Sequence, residues 1–174
     1  MRIYVESRLY VEKMIDRSPG WLLGKWIISI FDKGSCSPIF ADRRNILKLE
    51  FDDVTEKDTD PGLLHFNSDL AKQIVEFIKP IKADNCLPFY VHCAAGVSRS
   101  GAVGYMLNEW FNKYLMLNRA DNEAFVMDNS HILPNPEVVR ILKKEMFGDD
   151  YRGVFVNDYS YNEDGERKDN IVEV

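Results

Sequence analysis

Ten consecutive residues constrain this chain more than any others: His92-Cys93-Ala94-Ala95-Gly96-Val97-Ser98-Arg99-Ser100-Gly101. They follow a short apolar run, Leu87 to Val91, and precede a long helical pattern from about Ser100 to Leu117. A buried strand therefore delivers the chain to a cysteine, a tight loop of small residues follows, and a helix begins. Backbone N–H groups in such a loop turn inward and form a nest for an anion. The helix N-terminus adds unsatisfied donors and a partial positive charge. Gly96 and the two alanines let the backbone come close to a ligand. A tetrahedral oxyanion fits that cradle, and Ala94, Ala95, Gly96, Val97, Ser98 and Arg99 are its candidate binding residues.

Cys93 stands at the base of the cradle. Donors that hold an oxyanion also stabilise a thiolate, the nucleophilic form of cysteine. Arg99 can fold back over the loop, where its planar fork matches two oxygens of a tetrahedral or trigonal group. Ser100 can donate a hydrogen bond to the sulfur and help it leave. His92 is expected to orient the loop through hydrogen bonds and not to act as a base.

Strands alternating with helices predict an α/β fold. Ile3 and Val5, with Leu9-Val11 as an extension, read as an edge strand. Trp26 to Ile30 reads as a buried strand ending at the turn Asp32-Lys33-Gly34-Ser35. Asn45 to Phe51 alternates and ends at Asp52-Asp53, so two carboxylates sit at that strand's carboxyl mouth. Thr55 to Gly62 is polar and turn-rich. Ser68 to Pro80 carries Leu70, Ile74, Phe77 and Ile78 at helical spacing, with Asn67 or Ser68 as cap. Helices are also predicted near Asn122 to Met127 and from Pro136 to Phe147. Pro136 suits the first position of the latter, Asn135 its cap and Gly148 its stop. The sheet should be central, mostly parallel, of four or five strands, and covered by helices on both faces.

At 174 residues the chain suits one domain, residues 1–148, followed by a different segment, 149–174. That tail holds eight acidic and three basic residues, so about −5 of the net charge of −6 lies there, and its end is expected to be mobile. The acidic balance argues against a general nucleic-acid binder. No run of 18 apolar residues exists, so no membrane span is expected, and a cytoplasmic location is the default. Three cysteines without framework spacing fit reduced thiols. Cys36 and Cys86 read as small buried hydrophobes. No His/Cys cluster has zinc-ligand spacing, so no metal site is expected. His65 and His131 read as surface or packing residues, and Trp21, Trp26 and Trp110 as core or near-core. Arg43-Arg44 reads as a solvated turn.

His-Cys-(x)5-Arg-Ser is the signature of protein tyrosine phosphatases, and the loop HCAAGVSRSG resembles the AGVSRS type of the dual-specificity members. Ile132-Leu133-Pro134-Asn135-Pro136 resembles that family's closing turn and final helix. The resemblance spans about Met1 to Phe147. It implies the cysteine-phosphatase fold, with residues 1–148 as the phosphatase domain. It implies phosphomonoester hydrolysis through a phosphocysteine intermediate, without metal or organic cofactor, on a phosphorylated protein. The family uses an aspartate after a core strand as proton donor. Phe51-Asp52-Asp53-Val54 occupies that place, which makes Asp53 the first choice and Asp52 the second. Cys86 would be a disulfide partner of Cys93 under oxidation, as in some relatives. A loop without lysine between Cys93 and Arg99 suits a protein phosphoester better than a polyanionic lipid. An RNA 5′-phosphatase finds no support in the charge. A rhodanese-type sulfurtransferase would need neither the upstream acid nor Arg-Ser. A phospho-binding module without catalysis would normally have lost one of the three groups.

Overall fold

The computed structural model describes residues 1–18, 20–39, 42–82, 87–115, 119–149, 159–161 and 167–169. Its elements run β1 (Ile3–Ser7), α1 (Arg8–Arg17), β2 (Trp26–Phe31), β3 (Ile46–Glu50), α2 (Ser68–Ile78), β4 (Phe89–Cys93) and α3 (Arg99–Asn108). A π-helical segment (Glu109–Leu115), α4 (Arg119–Asp128), α5 (Pro136–Phe147), and short strands β5 (Tyr159–Tyr161) and β6 (Arg167–Asp169) follow. β1 to β4 form one four-stranded sheet in the order β1-β4-β2-β3, with every pairing parallel. β5 and β6 pair antiparallel by themselves. The rest of the acidic tail, and with it most of the segment expected to be mobile, lies outside the described residues. No helix among those described is long and apolar enough to cross a membrane.

Because all four strands are parallel, their carboxyl ends share one edge, and crossovers must cover the faces. Strand alternation assigns the two faces. Ile3, Val5, Ile28, Ile30, Leu49, Phe89, Val91 and Cys93 point into the larger core, under α2, α3 and α5. Ile27 and the half-buried Tyr90 point the other way and meet Val11 of α1, Trp21, Leu22 and Ile39.

Ser7 starts α1, its hydroxyl accepting from the Tyr10 N–H at 3.2 Å. The reading of Leu9-Val11 as strand is thereby corrected. In a strand those two side chains would share a face. In a helix they lie about 200° apart, so Val11 is buried and Leu9 exposed. Asn67 caps α2, accepting from the Asp69 and Leu70 N–H groups. α5 has Pro136 in its first turn, Asn135 as cap and Gly148 at φ +80° as its stop. The helix expected to run from Ser100 changes to π geometry at Glu109, where the Asn112 amide donates to Asn108 Oδ1 at 2.8 Å.

Candidate active site

β4 ends on Cys93, and α3 begins at Arg99, so the loop 94–98 hangs from the carboxyl edge of the sheet. Three of its carbonyls are held from outside. Arg8 donates to Ala94 O, Leu133 to Val97 O and Asn135 to Ser98 O, at 3.2–3.3 Å. That arrangement leaves the N–H groups for the interior. Gly96 adopts φ +79°, and a Cβ there would stand 2.6 Å from Glu6 C and Ser7 N. Only glycine fits, for backbone conformation and space at once.

Cys93 is 2% exposed. Its Sγ lies 3.1 Å from Ser100 Oγ and 3.4 Å from the Gly96 nitrogen. Ser98 occupies the N-cap position of α3 but makes no side-chain cap. The first-turn N–H groups of a helix have no intrahelical partner, so this end of α3 keeps its donors for an anion. Ala94 and Ala95 are exposed, Val97 and Ser98 half-buried.

Arg99 is buried, and its Nη1 donates to Phe51 O at 2.6 Å and pairs with Asp32 Oδ1 at 2.7 Å. Its Nε has no hydrogen-bond partner among the described residues. A buried unpartnered donor is costly unless something fills the position, and an anion in the cradle would do so. The sequence reading missed Asp32, which it placed in an ordinary turn. The signal available was its place after β2, on the same sheet edge as Cys93.

The two aspartates after β3 separate clearly. Asp53 is exposed, and its Oδ1 accepts from Ser98 Oγ at 2.7 Å and from Asn135 Nδ2 at 2.9 Å. It therefore lies against the cysteine loop. Asp52 uses both oxygens to tie neighbouring segments together, accepting from Leu64 N at 2.7 Å and from Lys33 N, in the turn after β2, at 3.0 Å. The Leu64 N–H, helped by that of Lys33, holds its carboxyl below the usual range.

His92 does not behave as the sequence suggested. Strand parity turns it away from the cysteine, and it is fully buried with neither ring nitrogen hydrogen-bonded among the described residues. Burial, with Arg8 nearby, pushes its pKa down to about 4, so the ring is neutral packing. Cys36 is exposed, not buried as expected. It follows the turn 32–35, past the half-buried end of β2 at Phe31. Cys86 lies outside the described residues. No group of three or more His, Cys, Asp or Glu among those described could hold a metal ion.

A parallel sheet with helices on both faces and a cysteine loop at its carboxyl edge defines the class: this is the cysteine-phosphatase fold of tyrosine-phosphatase-like proteins. Among solved structures the chain is similar to the human tyrosine phosphatase-like serine/threonine/tyrosine-interacting protein. The TM-score is 0.50 and the identity 22%, over 82% of this chain and 89% of that one. It is also similar to OH1 of the Orf virus, a tyrosine phosphatase with triple substrate specificity (TM-score 0.44, 16% identity, 83% of this chain and 82% of that one). PTPMT1 in complex with PI(5)P is a further neighbour (TM-score 0.43, 16% identity, 83% and 90%). No protein-family model matches the sequence, and no curated protein matches it.

Proposed function

We propose that this chain is a cysteine-dependent protein phosphatase acting on phosphotyrosine, with phosphoserine and phosphothreonine as further substrates. The observation that carries the reading is the placement of Cys93. Its sulfur is held by the Ser100 hydroxyl and the Gly96 N–H, at the uncapped start of α3, whose first residue is the buried Arg99. Such a cradle binds the phosphoryl group by N–H donors, the helix terminus and the Arg99 fork.

The thiolate attacks phosphorus, forming the S–P bond as the bond to the leaving oxygen breaks. Asp53 gives that oxygen its proton, a contribution of about 10²–10⁴-fold for a positioned acid. Water then attacks the phosphocysteine and yields its proton to the Asp53 carboxylate. The S–P bond breaks, and the Ser100 hydroxyl stabilises the departing thiolate. Arg99 and the loop N–H groups carry the charge of both transition states. No metal or organic cofactor is required. A reducing, cytoplasmic compartment suits a nucleophile that must stay unoxidised. Ala94 and Ala95 present no cation for a second phosphate, which favours a singly phosphorylated protein side chain over a polyanionic lipid.

Hydrolysis of p-nitrophenyl phosphate in EDTA and reductant, wild type beside Cys93→Ser, tests the reading. Turnover that survives the chelator and vanishes in the variant is expected, and a phosphopeptide panel then ranks the residues cleaved. A folded wild type that binds phosphopeptides without turnover would instead make the chain a binding module.

A further inference from the structure

The sequence reads Asn135 as a helix cap within a closing turn, and the structure gives its side chain a second set of contacts. Its Oδ1 accepts from Glu137 N at 3.0 Å and Val138 N at 3.3 Å, which caps α5. The other end of the same amide donates to Asp53 Oδ1 at 2.9 Å and Val54 O at 3.1 Å. Its main-chain N–H donates to Ser98 O at 3.2 Å. One residue, 4% exposed, thus joins the start of the last helix, the loop after β3 and the cysteine loop.

Asp53 is exposed and sits on a loop, where a carboxylate normally samples several rotamers. Two donors meet its Oδ1, and one of them belongs to a buried amide that is itself fixed at both ends. Among the described residues Oδ2 accepts no hydrogen bond. The carboxyl is therefore tethered by one oxygen and free at the other. Resting on the reading of Asp53 as proton donor, we propose that Asn135 is its positioning residue: it aims Oδ2 at the leaving oxygen and holds it there through both steps. Misplacing a reacting group by about 1 Å can cost on the order of 10²-fold, so a tether of this kind has a measurable rate effect.

The test compares Asn135→Asp and Asn135→Ser with Asp53→Asn on two substrates. Phenyl phosphate has a far more basic leaving group than p-nitrophenyl phosphate and depends more on the acid. Aspartate and serine both cap helices well, so α5 keeps its start while the donor to Asp53 is lost. Both variants should slow kcat for phenyl phosphate by at least about tenfold more than for p-nitrophenyl phosphate. Alkylation of Cys93 by iodoacetate and the thermal midpoint should stay near wild type, and neither change should add to the loss in an Asp53→Asn background. Equal losses on both substrates, or full additivity with Asp53→Asn, would reduce Asn135 to a structural cap and overturn the inference while leaving Asp53 as acid. If Asp53→Asn itself shows no leaving-group dependence, the proton-donor reading falls and takes this inference with it.

Discussion

At the scale of single residues, burial decides protonation. His92 has no hydrogen-bond partner among the described residues, and its pKa is pushed down to about 4 from the ordinary 6.5 by burial. Between those values the unfolded chain binds a proton that the folded chain refuses. Stability is therefore full above about pH 6.5 and falls as the pH drops toward 4, by a total of about 3 kcal/mol. His92→Leu should lose that part of the pH dependence. Urea unfolding of both proteins at pH 7, 5.5 and 4.5 checks this; parallel curves would show that His92 is not the group titrating. Neighbouring positions illustrate the same rule in other terms. Asp52 and Asp53 are adjacent and chemically identical, yet one is held by the N–H groups of two other segments, at Lys33 and Leu64, and the other faces the cysteine loop.

Elements depend on side chains that finish what the backbone leaves open. β1 is an edge strand, and an edge exposes unpaired N–H and C=O groups. Asn129, just past α4, takes the place of a neighbouring strand. Its Oδ1 accepts from Val5 N at 2.7 Å, and its Nδ2 donates to Ile3 O and Phe125 O, each at 2.9 Å. Asn129→Ala leaves the Val5 N–H and the Ile3 carbonyl buried without partners. At about 1–3 kcal/mol each, the loss should be about 2–6 kcal/mol, read from the denaturant midpoint. A change under about 0.5 kcal/mol would mean that water replaces the amide at this edge. β1 matters beyond its own stability, because Glu6 and Ser7 form the wall against which Gly96 is folded.

Across the whole molecule, α3 ties the cysteine loop to the sheet, and the fit is tight. A Cβ on Gly104 would stand 2.5 Å from Val5 Cγ2 and 3.7 Å from Phe125. Helix propensity alone makes Gly104→Ala stabilising by about 1 kcal/mol. Overpacking against a β-branched strand residue costs about 1–3 kcal/mol, so the net change should be a lower thermal midpoint. A higher midpoint would show that α3 can move off β1 without loss.

What the sequence determined by itself is what is contiguous along it. The strand, the loop and the helix start from Leu87 to Gly101 lie in a row, and the physics of an anion nest needs only that row. The cap Asn135, the choice of Asn67 or Ser68 for α2 and the stop at Gly148 were legible for the same reason, since such groups bond residues two to four positions away. The stretch Leu9-Val11 was misread because a single pair of apolar residues two positions apart matches the strand period by chance, while only one of the two, Val11, is buried. His92 and Cys36 were misread because burial and partners belong to the packed molecule. Asp32 reaching Arg99, Asn129 finishing β1 and Asn135 holding Asp53 span 67, 124 and 82 positions. Only the all-parallel sheet, which brings the carboxyl ends of β2, β3 and β4 to one edge, makes the first and last of these meet. No local pattern encodes such contacts, because each depends on where two distant segments are packed and not on what lies beside either.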